Sequence, residues 1–144
     1  GNICRSPLAE AAFRAEAARA GVEVEADSAG TGAWHVGEPP DRRARAVAHR
    51  HGVDIDHYRA RQVTDEDFRR FDHVVALDGA NYTDLKRMMP ADATARLSLL
   101  LDHVPGSEGR SVADPYYGAD AGFETTWREV SEGARGLLRL IGEG

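Results

Sequence analysis

Apolar positions along the chain fall into short, readable periods. Leu8, Ala11, Ala12, Ala15 and Ala18 recur at helical spacing and Gly21 supplies a stop, which predicts a helix from about Ser6 to Ala20. Ser6 suits the N-cap of that helix and Pro7 its first position. Val22, Val24 and Ala26 then alternate with glutamates, a strand pattern that ends near Ser28-Ala29-Gly30. A glycine-bearing loop follows, and Asp41 opens a second helix to about His51, closed by Gly52; residues 53–62 read as irregular. Thr64 and Asp67 are spaced as a capping box, with Asp in place of Glu or Gln, ahead of a short helix to Phe71. Val74-Val75-Ala76-Leu77 is a short apolar run of the kind that forms a strand buried on both faces. Asp78-Gly79 leads into a helix through Leu85, Met88 and Met89 that Pro90 ends, and Arg96 to Leu101 is a second strand candidate. Phe123, Trp127, Val130, Ala134, Leu137 and Ile141 step by four, three, four, three and four, one apolar stripe on a long last helix. Strands alternating with helices in 144 residues predict one α/β domain with a parallel sheet.

Charge and composition narrow the function classes. A net charge of −6 with 29% charged residues argues against a general nucleic-acid binder. The arginines at 42, 43, 45 and 50 read as a solvated face of the second helix. No apolar run approaches the ~20 residues of a membrane span, and no signal-peptide pattern is visible. Neither nucleic acid nor membrane is therefore expected as a partner. A single cysteine excludes an internal disulfide framework and fits a reducing compartment, so the expected location is cytoplasmic. The six histidines are scattered and His49 and His51 stand only two apart on a helix, so no metal and no cofactor is expected.

The candidate chemistry begins at the first residue. Gly1-Asn2-Ile3-Cys4-Arg5-Ser6-Pro7 reads as a tight loop feeding a helix N-terminus. Such a loop can turn successive N–H groups inward as an anion nest, and the helix dipole adds positive potential at the same point. Arg5 contributes a planar fork of donors suited to two phosphate oxygens. The stretch is a phosphate cradle. Late in the chain, Asp114-Pro115-Tyr116-Tyr117 lies between the last predicted strand and the last helix. Asp-Pro is a common turn, and the same aspartate is the candidate general acid of a phosphate site.

G-N-I-C-R-S-P resembles the phosphate loop of the low-molecular-weight protein tyrosine phosphatases, whose signature runs C-x-G-N-x-C-R-S. The likeness extends through Asp27-Ser28-Ala29-Gly30, Trp34 with Val36-Gly37, Pro40-Asp41, Ala60-Arg61-Gln62-Val63-Thr64, Asp67-Phe68, Ala76-Leu77-Asp78 and Asp114-Pro115-Tyr116-Tyr117. In that family the nucleophile is the first cysteine, spaced C-x5-R from the arginine. Counting back from Arg5 places it two positions ahead of Gly1. Cys4 does not fit the spacing, since six residues beyond it stands Glu10; the resemblance makes Cys4 the second, non-nucleophilic cysteine.

The resemblance implies a three-layer fold whose four-stranded parallel sheet has the order 2-1-3-4, with helices on both faces. Strand 1 and the nucleophile are then expected in about ten upstream residues, and the 144 residues alone are expected to be an N-terminally incomplete domain, unstable and inactive. The implied activity is hydrolysis of phosphotyrosine in proteins, and of small aryl phosphates, through a cysteinyl-phosphate. Arg5 and the amides of Gly1, Asn2, Ile3, Cys4 and Ser6 would bind phosphate or another oxyanion, and Asp114 would serve as general acid and then base. Trp34, Tyr116 and Tyr117 would wall the substrate pocket, although composition alone also allows each as a core residue. Asn2 would brace the cradle with Ser6 and Ser28, while Asp41 and Asp78 would be structural.

Three other readings share the loop. Thioredoxin-coupled arsenate reductases need further cysteines, and none follows Cys4. Protein arginine phosphatases resemble the chain with Thr where Ile3 stands, and the bulky Ile3 points to the tyrosine enzymes. A non-catalytic phosphate-binding domain is the remaining alternative.

Overall fold

A computed structural model of the chain describes residues 3–115 and 121–143. Its elements are α1 (Arg5–Ala20), α2 (Arg42–Arg50), α3 (Asp67–Arg70), β1 (His73–Ala76), α4 (Gly79–Met88), β2 (Arg96–Leu99), a 3-10 turn (Leu100–His103) and α5 (Ala121–Glu143).

Local chemistry explains most helix ends. Gly21 adopts a φ of 70°, and its N–H and that of Val22 return to the carbonyls of Ala18 and Ala17, closing α1. Asp41 Oδ1 accepts the Arg43 N–H at 2.8 Å to start α2, and Asp78 Oδ1 accepts the Asn81 N–H at 2.7 Å to start α4. The N-cap of α1, however, is Cys4 rather than Ser6. The Leu8 N–H reaches the Cys4 carbonyl at 3.3 Å, so the helix begins two residues earlier than that cap would set it and Arg5 is its first member. Ser6 and Pro7 fall inside the first turn, where the missing proline N–H has no helical partner to lose. At α3 the Thr64 N–H donates to Asp67 Oδ2 at 2.8 Å, the backward half of the expected box, while the N-cap is Glu66.

β1 and β2 pair in parallel, from His73 opposite Arg96 to Ala76 opposite Leu99, with α4 as the crossover. They are the two strands found among the described residues, so helices and a parallel sheet are present but not the full 2-1-3-4 order. The strand expected at 22–26 forms no ladder; the nearest pairing is one parallel bridge, Gly30 to Gln62. Alternation of Val and Glu gives a segment two faces, but a strand also needs a backbone alongside, and here a groove of about 980 Å³ separates it from β1. Side chains fasten the segment instead. Arg70 pairs with Glu25, Arg14 donates to the Ala26 carbonyl, and Arg61 Nε donates to Asp27 Oδ2 at 3.1 Å. The groove also leaves Val74 and Val75 half-buried, where the sequence predicts a strand covered on both faces. β2 stops at Leu99 because the Asp102 carboxylate accepts the Leu99 N–H at 3.1 Å, folding Leu100 and Leu101 into the 3-10 turn and burying both.

α5 carries the core. Phe123, Trp127, Val130 and Ala134 are buried as the stripe predicts, in one cluster with Leu8 of α1, Val47 of α2, Ile55 and Leu100, and Leu137 beyond them is buried as well. Two glycines set its distance from the 3-10 turn. A Cβ on Gly133 would stand 2.9 Å from Leu100 Cδ1, and one on Gly136 would stand 2.7 Å from the His103 carbonyl carbon.

Arg61 holds Asp67 with both terminal nitrogens, at 2.9 and 3.1 Å, while its Nε takes Asp27. Burial alone would raise the Asp67 carboxyl, but hydrogen bonds from Arg61 and the Thr64 N–H outweigh it and hold the group below its ordinary range. A carboxyl depressed on folding adds stability above its unfolded value, and that stability is lost as pH falls through the folded one. Asp67→Asn should therefore cost about 1 kcal/mol in urea unfolding at pH 7. The gap from wild type should hold to pH 5 and narrow below 3.8. A gap that stays constant into acid would show that the charge of Asp67 is not what stabilises the contact.

Candidate active site

Three chain segments meet at the start of α1. The Ile3 carbonyl accepts the Asp41 N–H at 2.8 Å, tying the loop to the first turn of α2. The Val112 N–H donates to the Leu77 carbonyl at 2.8 Å, so the 112–115 segment is fixed to the carboxyl end of β1. That end of a parallel strand pair is where open α/β sheets hold ligands. Arg5 joins the segments. Its Nη1 donates to the Val112 carbonyl at 2.9 Å, its Nη2 donates to Asp78 Oδ2 at 2.8 Å, and Asp114 Oδ2 lies 3.9 Å from Nη2. The Arg5 side chain is 15% exposed and that of Asp114 53%. The arginine is thus set in the floor while the aspartate stands at the rim.

Electrostatics follow from this packing. Burial would raise the Asp78 carboxyl, but hydrogen bonds from the Asn81 N–H and Arg5 outweigh it, so Asp78 stays ionised as the arginine's counter-charge. Cys4 is buried, and its thiol is pushed up to about 12 by that burial, with Asp41 and Asp114 adding to the rise and Arg43 opposing it. A thiol so far above neutrality is a poor nucleophile, in keeping with the failed C-x5-R spacing at Cys4. Asp41 resembles Asp78 in kind: burial would raise it, and hydrogen bonds from Arg43 hold it low.

Ile3, Cys4, Arg5, Ser6 and Asp114 line one end of the large groove. Ser6 lies half-buried in the first turn of α1, and the Ser28 hydroxyl donates to Glu10 Oε1 at 2.7 Å. Gly1 and Asn2, and with Asn2 its expected bracing contacts, lie outside the described residues, as do Tyr116 and Tyr117. Trp34 stands at the surface, 76% exposed with its ring against Gly32, and does not line the groove. Ala113 before the aspartate is held by α5: its N–H donates to Glu129 Oε1 at 3.1 Å and its carbonyl accepts from Thr126 Oγ1 at 3.2 Å.

Sequence reasoning missed Glu10. Its side chain is 7% exposed and accepts from both Ser28 Oγ and Arg14 Nε, the latter at 2.9 Å. The i, i+4 spacing to Arg14 was the visible signal. Burial pushes the Tyr58 hydroxyl up to about 12, with the Glu10 charge reinforcing it. The missed partners of Arg5 and Asp41, the Val112 carbonyl and Arg43, carried no such signal.

Metal ligands converge at one place among the described residues. His49, Asp54 and Asp56 bring ligand atoms within 4.8 Å of one another, all exposed. His51 does not join them, because its Nε2 meets Glu124 at 2.9 Å and its ring stacks on Trp127. Ordinary His–carboxylate contacts at 3.6 and 3.8 Å account for the cluster. No helix among the described residues is long and apolar enough to cross a membrane.

Comparison with known proteins gives a consistent answer. The family model described as low molecular weight phosphotyrosine protein phosphatase matches residues 1–144. A low molecular weight protein-tyrosine-phosphatase of Streptomyces coelicolor is 47% identical over 148 residues, covering 99% of this chain and 90% of the relative. A crystal structure of a protein tyrosine phosphatase from Entamoeba histolytica superposes with a TM-score of 0.93 at 32% identity, covering 100% of this chain and 93% of that one. A crystal structure of a drosophila arginine phosphatase superposes with a TM-score of 0.91 at 28% identity, covering 98% and 92%.

Proposed function

The chain belongs to the low molecular weight phosphotyrosine protein phosphatase family, and from that membership we propose that it hydrolyses phosphotyrosine in proteins, and small aryl phosphates, through a cysteinyl-phosphate. The observation that carries the reading is the meeting of Arg5, Asp78 and Asp114 at the first turn of α1. A phosphate dianion lodged there would meet the helix N–H groups and the arginine fork, with Asp78 keeping the guanidinium in place. The attacking thiolate belongs two positions ahead of Gly1 by the C-x5-R spacing. Its sulfur forms the S–P bond as the P–O bond to the tyrosyl oxygen breaks, and Asp114 gives that oxygen its proton. Water then attacks phosphorus, the Asp114 carboxylate takes its proton, and the S–P bond breaks to release phosphate. The pocket walls assigned to Tyr116 and Tyr117, and the bracing role of Asn2, belong to this proposal, whereas Trp34, 76% exposed and away from the groove, is not kept as a wall.

The second reading is phosphoarginine hydrolysis, favoured by the likeness to the drosophila arginine phosphatase. Ile3, which lines the groove beside Arg5, weighs toward the aromatic substrate. An arsenate relay has no cysteine beyond Cys4 to use.

The test compares the 144-residue chain with the same protein extended by an upstream segment ending in Cys and one further residue. Phosphate release is measured from a phosphotyrosine peptide and from phosphoarginine. Turnover of the peptide is expected only with the cysteine, with loss on its replacement by Ser. Turnover that survives the Ser variant would exclude the covalent step, and preference for phosphoarginine would establish the second reading.

A further inference from the structure

The candidate site is crowded with negative charge before any substrate arrives. Asp41, Asp78 and Asp114 all surround the loop, and a phosphate dianion would add two more charges. Arg5 covers Asp78 and lies near Asp114. Asp41 is the remaining problem, since its backbone N–H grips the Ile3 carbonyl and fixes its carboxylate beside the loop.

Arg43 answers it. Its backbone N–H donates to Asp41 Oδ1 at 2.8 Å, its Nε to the same oxygen at 3.1 Å and its Nη2 to Oδ2 at 3.2 Å. The two side chains are 22% and 15% exposed, so solvent screens the pair only in part. The guanidinium also lies over the Phe123 ring, 4.8 Å from its centre. Phe123 is fully buried in the first turn of α5, and a Cβ on its neighbour Gly122 would stand 3.6 Å from the Cβ of Pro115, next to Asp114. Arg43 thus bridges the anchor of the phosphate loop and the base of the acid loop.

Resting on the phosphate-site reading above, we propose that Arg43 is a positioning residue of that site: it neutralises Asp41 beside the cradle and locks it in place, so that the loop can accept a phosphate dianion. The opposite effects of Asp41 and Arg43 on the Cys4 thiol agree with both charges being felt inside the loop.

The experiment is calorimetric titration of inorganic phosphate, at low salt, into the protein extended by the upstream segment and into its variants. Circular dichroism of each variant checks that the fold is retained. Arg43→Met should weaken phosphate binding about tenfold, and Arg43→Lys, which keeps charge but not the fork, should lose less. Asp41→Asn combined with Arg43→Met should return affinity to within about threefold of wild type, because Asn still caps α2 but carries no charge. Asp41→Asn alone should bind phosphate several-fold tighter, a result readable even if Arg43→Met does not fold. An unchanged Arg43→Met, a double variant no better than Arg43→Met, or an Asp41→Asn that binds no tighter would each overturn the role of Arg43. Absence of phosphate binding by the wild-type chain would instead overturn the cradle reading on which it rests.

Discussion

Asp114→Asn, in the protein carrying the upstream cysteine, should lower phosphotyrosine turnover about 10²–10⁴-fold, with phosphate affinity unchanged or improved. The geometry separates the two effects. Asp114 lies 3.9 Å from Arg5 at the rim, so removing its charge takes nothing from the donors in the floor and relieves repulsion of an incoming dianion. In the proposed mechanism it supplies a proton as the tyrosyl oxygen departs. The loss should therefore be large for a phenol that leaves poorly and small for an activated aryl phosphate whose anion is stable unprotonated. Steady-state rates on two aryl phosphates of different leaving-group acidity measure the difference. Equal losses on both would take the acid role away from Asp114 and leave it as a turn residue before Pro115.

Gly136→Ala should be the most damaging single methyl in the chain. The added carbon would stand 2.7 Å from the His103 carbonyl carbon and closer still to its oxygen. The obstacle is backbone, which cannot rotate aside as a side-chain tip would, so α5 or the 3-10 turn has to shift. Overpacking usually costs 1–3 kcal/mol, and a rigid wall argues for about 3 kcal/mol. In a domain of this size that lowers Tm by roughly 10 °C. Gly142→Ala is the control, because a Cβ there meets nothing within 4 Å. Thermal unfolding of both variants decides the matter, and a Gly136→Ala protein as stable as the control would mean that α5 sits further from His103.

What could be read from residues and what could not divide along a physical line. Capping is local, so Asp41, Asp78 and Gly21 mark real helix ends, and the stripe from Phe123 to Leu137 marks a real buried face. Strand formation is not local. Val22, Val24 and Ala26 alternate well, yet their segment is fastened by Arg14, Arg61 and Arg70 instead of by a ladder, because the partner backbone decides. Ser6 misled for a subtler reason: its side chain favours a cap, but the helix starts at Arg5, two residues ahead of the position that cap would give, and the Arg5 guanidinium meets Asp78. In the site, a motif brings Arg5 and Asp114 to notice. The carboxylate of Asp78, the Val112 carbonyl and the Arg43–Asp41 clamp come from distant stretches whose meeting no spacing announces.

The setting of Arg5 has one more consequence, for the entropy of binding. A free arginine side chain gives up about 1.5–2 kcal/mol of rotamer freedom when it is fixed on a ligand. Here the Val112 carbonyl and Asp78 already hold the guanidinium from two sides. That ordering cost is incurred once, on folding, and not again at each arrival of phosphate. On the proposed reading the fork would meet its anion preorganised, leaving more of the contact energy to appear as affinity.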